Sequence, residues 1–108
     1  MTTVETGLSG FAWRDGALDR RTVIRCALAR VCGRCGESLG RPIVFLGDAA
    51  DDARNAFHVP PLHESCAQEL LAVAGPGHVL VRTSGFELVR PGYDDPDPMP
   101  RFEPNSRL

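Results

Sequence analysis

Two short stretches, Cys32-Gly33-Arg34-Cys35-Gly36 and His63-Glu64-Ser65-Cys66, constrain this chain more than any other feature. Each carries a pair of soft ligands separated by two residues. A two-residue spacer lets two side chains turn back onto one ion. In the first pair, Gly33 and Gly36 tolerate the positive φ that such a turn needs. Glycine on either side also leaves the backbone open, so that amide N–H groups can point at the sulfurs and steady the thiolates.

Taken together, Cys32, Cys35, His63 and Cys66 make a set of three thiolates and one imidazole. Zinc takes four nitrogen or sulfur ligands in a tetrahedron. A complete protein set leaves no position for water, so the expected cofactor is a structural Zn2+ rather than a catalytic one. A redox Cys-x-x-Cys competes with this reading, but it needs the pair at a helix N-terminus after a strand. The flanking glycines, and the apolar run Ile43-Val44-Phe45-Leu46 that follows, argue against it. Iron in the same cage is a further alternative.

Length explains why a metal would matter. At 108 residues the chain is expected to form one domain, and a domain this size buries only about two thirds of its unfolded surface. No run of 18 apolar residues occurs, so no transmembrane helix is expected. Residues 1–25 contain Glu5, Asp15 and Asp19 and no apolar core of a leader, which points to the cytoplasm. There, four cysteines favour metal binding over disulfides.

Asp19 is placed to cap a helix. Ile24, Ala27, Leu28 and Val31 follow at i, i+3, i+4 and i+7, one helical face. That helix is expected to end at Cys32-Gly33, with Cys26 a buried free thiol beside the stripe. Ile43–Leu46 reads as a short buried strand and residues 48–56 as a solvated loop. Asp48, Asp51 and Asp52 lack the glycine and the terminal glutamate of a calcium loop. Phe57-His58-Val59 reads as a second strand. Pro60-Pro61 then opens a helix reaching Ala74, which puts His63 and Cys66 on one face of its first turn, and Gly75-Pro76-Gly77 ends it. His78 reads as a loop residue. Residues 78–90 read as a β-hairpin around Ser84-Gly85. From Pro91 onward proline and aspartate dominate, and a flexible tail is expected. The resulting division is an N-terminal segment 1–18, a zinc-binding domain 19–90 and a tail 91–108.

The order of knuckle, hairpin and helix, carried by Cys32, Cys35, His63 and Cys66 over about residues 31–74, resembles the treble-clef zinc fingers. The wording Cys-Gly-Arg-Cys-Gly-Glu-Ser-Leu-Gly and Pro-Pro-Leu-His-Glu-Ser-Cys-Ala is also similar to small proteins of unknown function from actinobacteria and their phages. Those share a Cys-x-x-Cys-Gly-x-x-Leu-Gly stretch and a Pro-Pro-x-His-x-x-Cys-Ala stretch. The resemblance implies a zinc-stapled treble-clef-like core; with the helix read before it and the hairpin read after it, the expected fold is a small α+β domain with an N-terminal helix and a C-terminal β-hairpin. It implies no activity.

Three functions fit. The preferred one is a non-enzymatic interaction or regulatory module that meets a protein partner through the hairpin, the Phe11/Trp13 region or the proline-rich tail. For Phe11 and Trp13 themselves, a plain core-covering role is the preferred reading. The second is DNA or RNA binding. Net charge is −2, so there is no global signal, but residues 20–41 concentrate Arg20, Arg21, Arg25, Arg30, Arg34 and Arg41 against Glu37 alone. Arg20, Arg21, Arg25, Arg34 and Arg41 are the candidate phosphate contacts. A solvated face, or compensation of the thiolates by Arg30 and Arg34, explains the same residues. Lysine is absent altogether, as a G- and C-rich genome would make it. The third function is a metal-dependent nuclease or hydrolase using His58, as in His-Asn-His treble clefs; no matching Asn and His are found on the helix.

Overall fold

A computed structural model describes residues 8–108, so the first part of the 1–18 segment lies outside the described residues. The elements run β1 (Trp13–Arg14), β2 (Ala17–Leu18), α1 (Arg20–Ala29), β3 (Ile43–Asp48), α2 (Ala49–Arg54), α3 (Glu64–Ala74), β4 (His78–Thr83), β5 (Phe86–Val89) and β6 (Arg101–Pro104). They make a small α+β structure of three helices and three two-stranded antiparallel sheets, β1–β2, β3–β4 and β5–β6. No helix among the described residues is long and apolar enough to cross a membrane.

β3 organises the core. Its side chains alternate between two faces, and both faces are covered. Ile43 and Phe45 join one cluster with Ala12, Val23, Cys26, Ala27, Phe57, Val81 and Phe102. Val44 and Leu46 join the other, with Cys32, Leu62, Ala67 and Leu70. A strand buried on both sides reads as a continuous apolar run rather than an alternating one. Gly47 ends that run because a Cβ there would sit 2.6 Å from the Phe57 ring.

α1 forms as expected, with the Asp19 carboxylate accepting from the Thr22 amide at 3.1 Å and the Thr22 hydroxyl at 2.6 Å. Its buried face, however, is Val23, Cys26 and Ala27, while Leu28 is 68% exposed. Two stripes of the same period overlap in this sequence, one residue apart, and the smaller side chains turn inward. The helix also stops earlier than the glycine signal suggested: Arg30 adopts the left-handed conformation, and Val31 is already bridged to Ser38.

Residues 48–56 are not a loop. Asp48 and Asp51 form a reciprocal capping box that nucleates α2, so these carboxylates serve the helix. Phe57-His58-Val59 makes only a single bridge, Phe57 to Phe102. Pro60 and Pro61 are buried ahead of α3, which begins at Glu64. Val73, in the last turn of α3, is half exposed.

The expected hairpin at 78–90 does not form. β4 pairs with β3, with Ile43 opposite Thr83 and Asp48 opposite His78, so His78 is a strand residue. β5 pairs instead with β6, with Phe86 opposite Pro104 and Val89 opposite Arg101. Thr83 makes the switch between sheets. It is fully buried, and its hydroxyl donates to the Gly85 carbonyl while accepting from the Gly85 and Ser106 amides.

The 91–108 stretch, expected to run as a tail without a core pattern, carries β6 and buries Phe102 completely. Its aspartates shape the approach. Asp95 accepts from the Asp97 amide, Asp97 from the Met99 amide, and Arg101 pairs with Asp95 at 3.0 Å. The Arg101 guanidinium and these amides hold both carboxyls below the usual range; the Asp97 amide leads at Asp95 and the His58 imidazole at Asp97.

Candidate metal centre

The four expected ligands converge. Ligand atoms of Cys32, Cys35, His63 and Cys66 all lie within 4.8 Å of one another, the only such group of three or more among the described residues. Cys35 Sγ and His63 Nδ1 are 3.3 Å apart. Tetrahedral zinc at its usual bond lengths separates sulfur from nitrogen by about 3.5 Å and two sulfurs by about 3.8 Å. The cluster is therefore close enough to hold one metal ion, and its donor set suits zinc.

Backbone bonds build the knuckle. The Cys32 amide donates to Glu37 O at 2.8 Å and the Gly36 amide to Cys32 O at 2.8 Å. The two glycines do different jobs. Gly36 takes the positive φ, +74°. Gly33 makes room instead: a Cβ there would lie 2.5 Å from Pro60 Cγ, and the Gly33 amide donates to Pro61 O at 2.8 Å. Pro60-Pro61 thus braces the first ligand pair against the segment that delivers the second.

His63 precedes the first turn of α3 and Cys66 lies within it. The His63 Nε2–H donates to the Ser38 carbonyl at 2.8 Å, which leaves Nδ1 facing the thiols. A ligating histidine is commonly oriented in this way. This contact had no signal in the sequence, because the group supplied is a backbone carbonyl. Burial raises the Cys32 thiol, but amides of Cys35, His63 and Arg34 outweigh it and hold the thiol below its usual value. Cys66 is pushed up to about 12 by burial and by its neighbours Cys32 and Cys35. Several sulfurs packed this closely repel as anions, and a shared dication removes that conflict.

The remaining candidates fall elsewhere. Cys26 is fully buried in the core cluster, its thiol pushed up to about 11 chiefly by burial. His58 Nε2 meets Asp97 Oδ2 at 2.7 Å, tying the segment before α3 to the C-terminal stretch. Cys26→Ser and His58→Ala should therefore each keep a full equivalent of metal, measured by elemental analysis of the purified variants. Half occupancy in either would place that residue among the ligands.

The candidate nucleic-acid arginines are scattered. Arg34 pairs with Glu69 at 3.0 Å, Arg20 donates to Pro98 O at 3.3 Å, and Arg41 stands exposed. Arg30 lies over the Phe86 ring at 5.2 Å rather than on a thiolate. Only Arg21 and Arg25 come together, and they do so with Arg14, which the 20–41 window left out.

A small α+β chain with a Cys3His cluster is the class these observations define. No protein-family model matches the chain, and neither a curated protein nor a solved structure matches it.

Proposed function

We propose that this is a zinc-stapled, treble-clef-like interaction module without catalytic activity, acting on a protein partner. The support for a treble clef is the order of parts: the Cys32–Cys35 knuckle, β3 bridged antiparallel to Leu62, then α3 with Cys66 in its first turn. The support for a structural role is the ligand set itself, complete without water. Four free thiols are at home in a reducing compartment such as the cytoplasm.

The observation that carries the reading is the seat of Phe11. Its amide donates to Arg34 O at 2.9 Å, and the next amide, Ala12, donates to Gly33 O at 2.8 Å. The ring lies against Gly36, where a Cβ would sit 3.0 Å from Phe11 Cδ1. Yet Phe11 remains 41% exposed. A metal-held knuckle thus presents an aromatic side chain in a fixed position, and rigid aromatic anchors dominate binding energy at protein interfaces.

Phe11→Ala is expected to retain its metal and its cooperative melt while losing the partner. The check is a nuclease-treated pull-down followed by a binding titration with the captured protein. A weakening of about tenfold or more is expected for a buried aromatic anchor. Equal capture by the wild type and Phe11→Ala would refute the reading.

A further inference from the structure

Of the 12 arginines, five are committed to ion pairs: Arg34, Arg54, Arg82, Arg101 and Arg107. Three that have no hydrogen bond or ion pair among the described residues, Arg14, Arg21 and Arg25, line one open groove of about 350 Å³. Arg14 comes from β1 and the other two from the first half of α1. Asp19 and Thr22 complete the wall. One carboxylate against three guanidiniums leaves the groove clearly cationic, and Asp19 Oδ2 is already occupied by both donors of Thr22.

We propose that this groove is a binding site for the phosphodiester backbone of a nucleic acid. It goes beyond the protein-partner reading and uses none of the same residues. The lining contains no apolar side chain, so nothing in it would hold an acyl chain or a hydrophobic peptide side chain. What it offers is planar guanidinium forks, which match phosphate oxygens. Its open form suits a continuous strand passing through, and exposed Arg20 extends the positive surface along the same helix. Contacts of this kind position a protein on a backbone without reading sequence.

The metal-loaded full chain should bind a labelled duplex of unrelated sequence, followed by fluorescence anisotropy. Each phosphate neutralised contributes about −0.9 to the slope of log affinity on log salt, so three contacts give about −2.7 and an affinity loss of about 40-fold between about 50 and about 200 mM salt. Arg14→Gln, Arg21→Gln and Arg25→Gln should each reduce the slope by about 0.9, and the triple variant should abolish binding. Arg90→Gln, outside the groove, should change nothing. Lysine at the same three positions should preserve most of the slope, which separates charge from folding. Absence of duplex binding, or binding that survives the triple variant, would overturn the proposal. So would displacement by inorganic phosphate or a phosphoserine peptide beyond the effect of ionic strength, because the groove would then serve a free anion or a phosphorylated protein. Phe11→Ala should leave duplex binding intact, so the two readings fail independently.

Discussion

Cys35→Ser is expected to strip the protein of its metal and most of its tertiary structure. The substitution is informative because Cys35 is exposed. Removing its sulfur deletes no core packing, so any collapse reports the ligand alone. Binding of structural zinc is worth roughly 10–16 kcal/mol in small peptides, and native domains have only about 5–15 kcal/mol in total. Losing one of four ligands therefore threatens the whole fold. The damage should spread along the knuckle's own bonds. Cys32 to Glu37, Gly33 to Pro61 and His63 to Ser38 all depend on the pair staying closed, and Phe11 and Ala12 hang from the same turn. Metal content and the far-ultraviolet thermal melt are the measurements. The expected outcome is less than a tenth of the wild-type metal and no cooperative transition. A variant with native metal content and an unchanged melt would remove Cys35 from the ligand set, and with it the case for a metal staple.

The Cys3His cluster was legible in the sequence because its logic is local. A two-residue spacer between soft donors has few other uses, and the second pair completes the valence of one ion. β3 was legible for a similar reason: Ile43-Val44-Phe45-Leu46 is rich in β-branched and aromatic residues and is bounded by Pro42 and Gly47, the pattern of a short strand covered on both faces. The Asp19 cap was equally local. What could not be read was which strand meets which. Val79–Val81 and Phe86–Val89 flank Ser84-Gly85 like the arms of a hairpin, yet they enter different sheets, with the buried Thr83 hydroxyl bonded at the break between them. Strand pairing is decided by distant segments, and β4 finds β3 across the intervening residues 49–77. The phase of α1 failed for another reason. Its two candidate stripes differ by one position, and the choice of Val23, Cys26 and Ala27 over Ile24 and Leu28 follows from what they pack against, the phenylalanine cluster. The α2 capping box was visible in principle as Asp48 and Asp51 at N-cap and N3, but neither residue matches the usual Ser/Thr and Glu/Gln pattern.

Phe102→Ala should be the most damaging substitution away from the metal. One phenylalanine in a stretch of prolines, aspartates and arginines gives no periodic signal, yet this ring is completely buried. Its centroid lies 5.7 Å from that of Phe45 and 5.7 Å from that of Phe86. The backbone at the same residue exchanges bonds with Phe57, at 2.7 and 2.9 Å. Truncating a buried phenylalanine costs about 3–5 kcal/mol through lost transfer energy and the cavity left behind. Here the cavity opens in the cluster of Phe45 and Phe57, whose rings stack at 5.8 Å and resist collapse around it. Urea unfolding, with metal content measured alongside, tests this directly. The expected result is a large drop in midpoint with the metal retained, because Phe102 belongs to the cluster on the far face of β3 from Cys32. Tyr93→Ala, in the same C-terminal region but wholly exposed, should shift stability by less than about 0.5 kcal/mol. Equal, small effects at both positions would mean that residues 91–108 behave as the tail their composition suggests. A large effect at Phe102 alone makes this segment the closing side of the core.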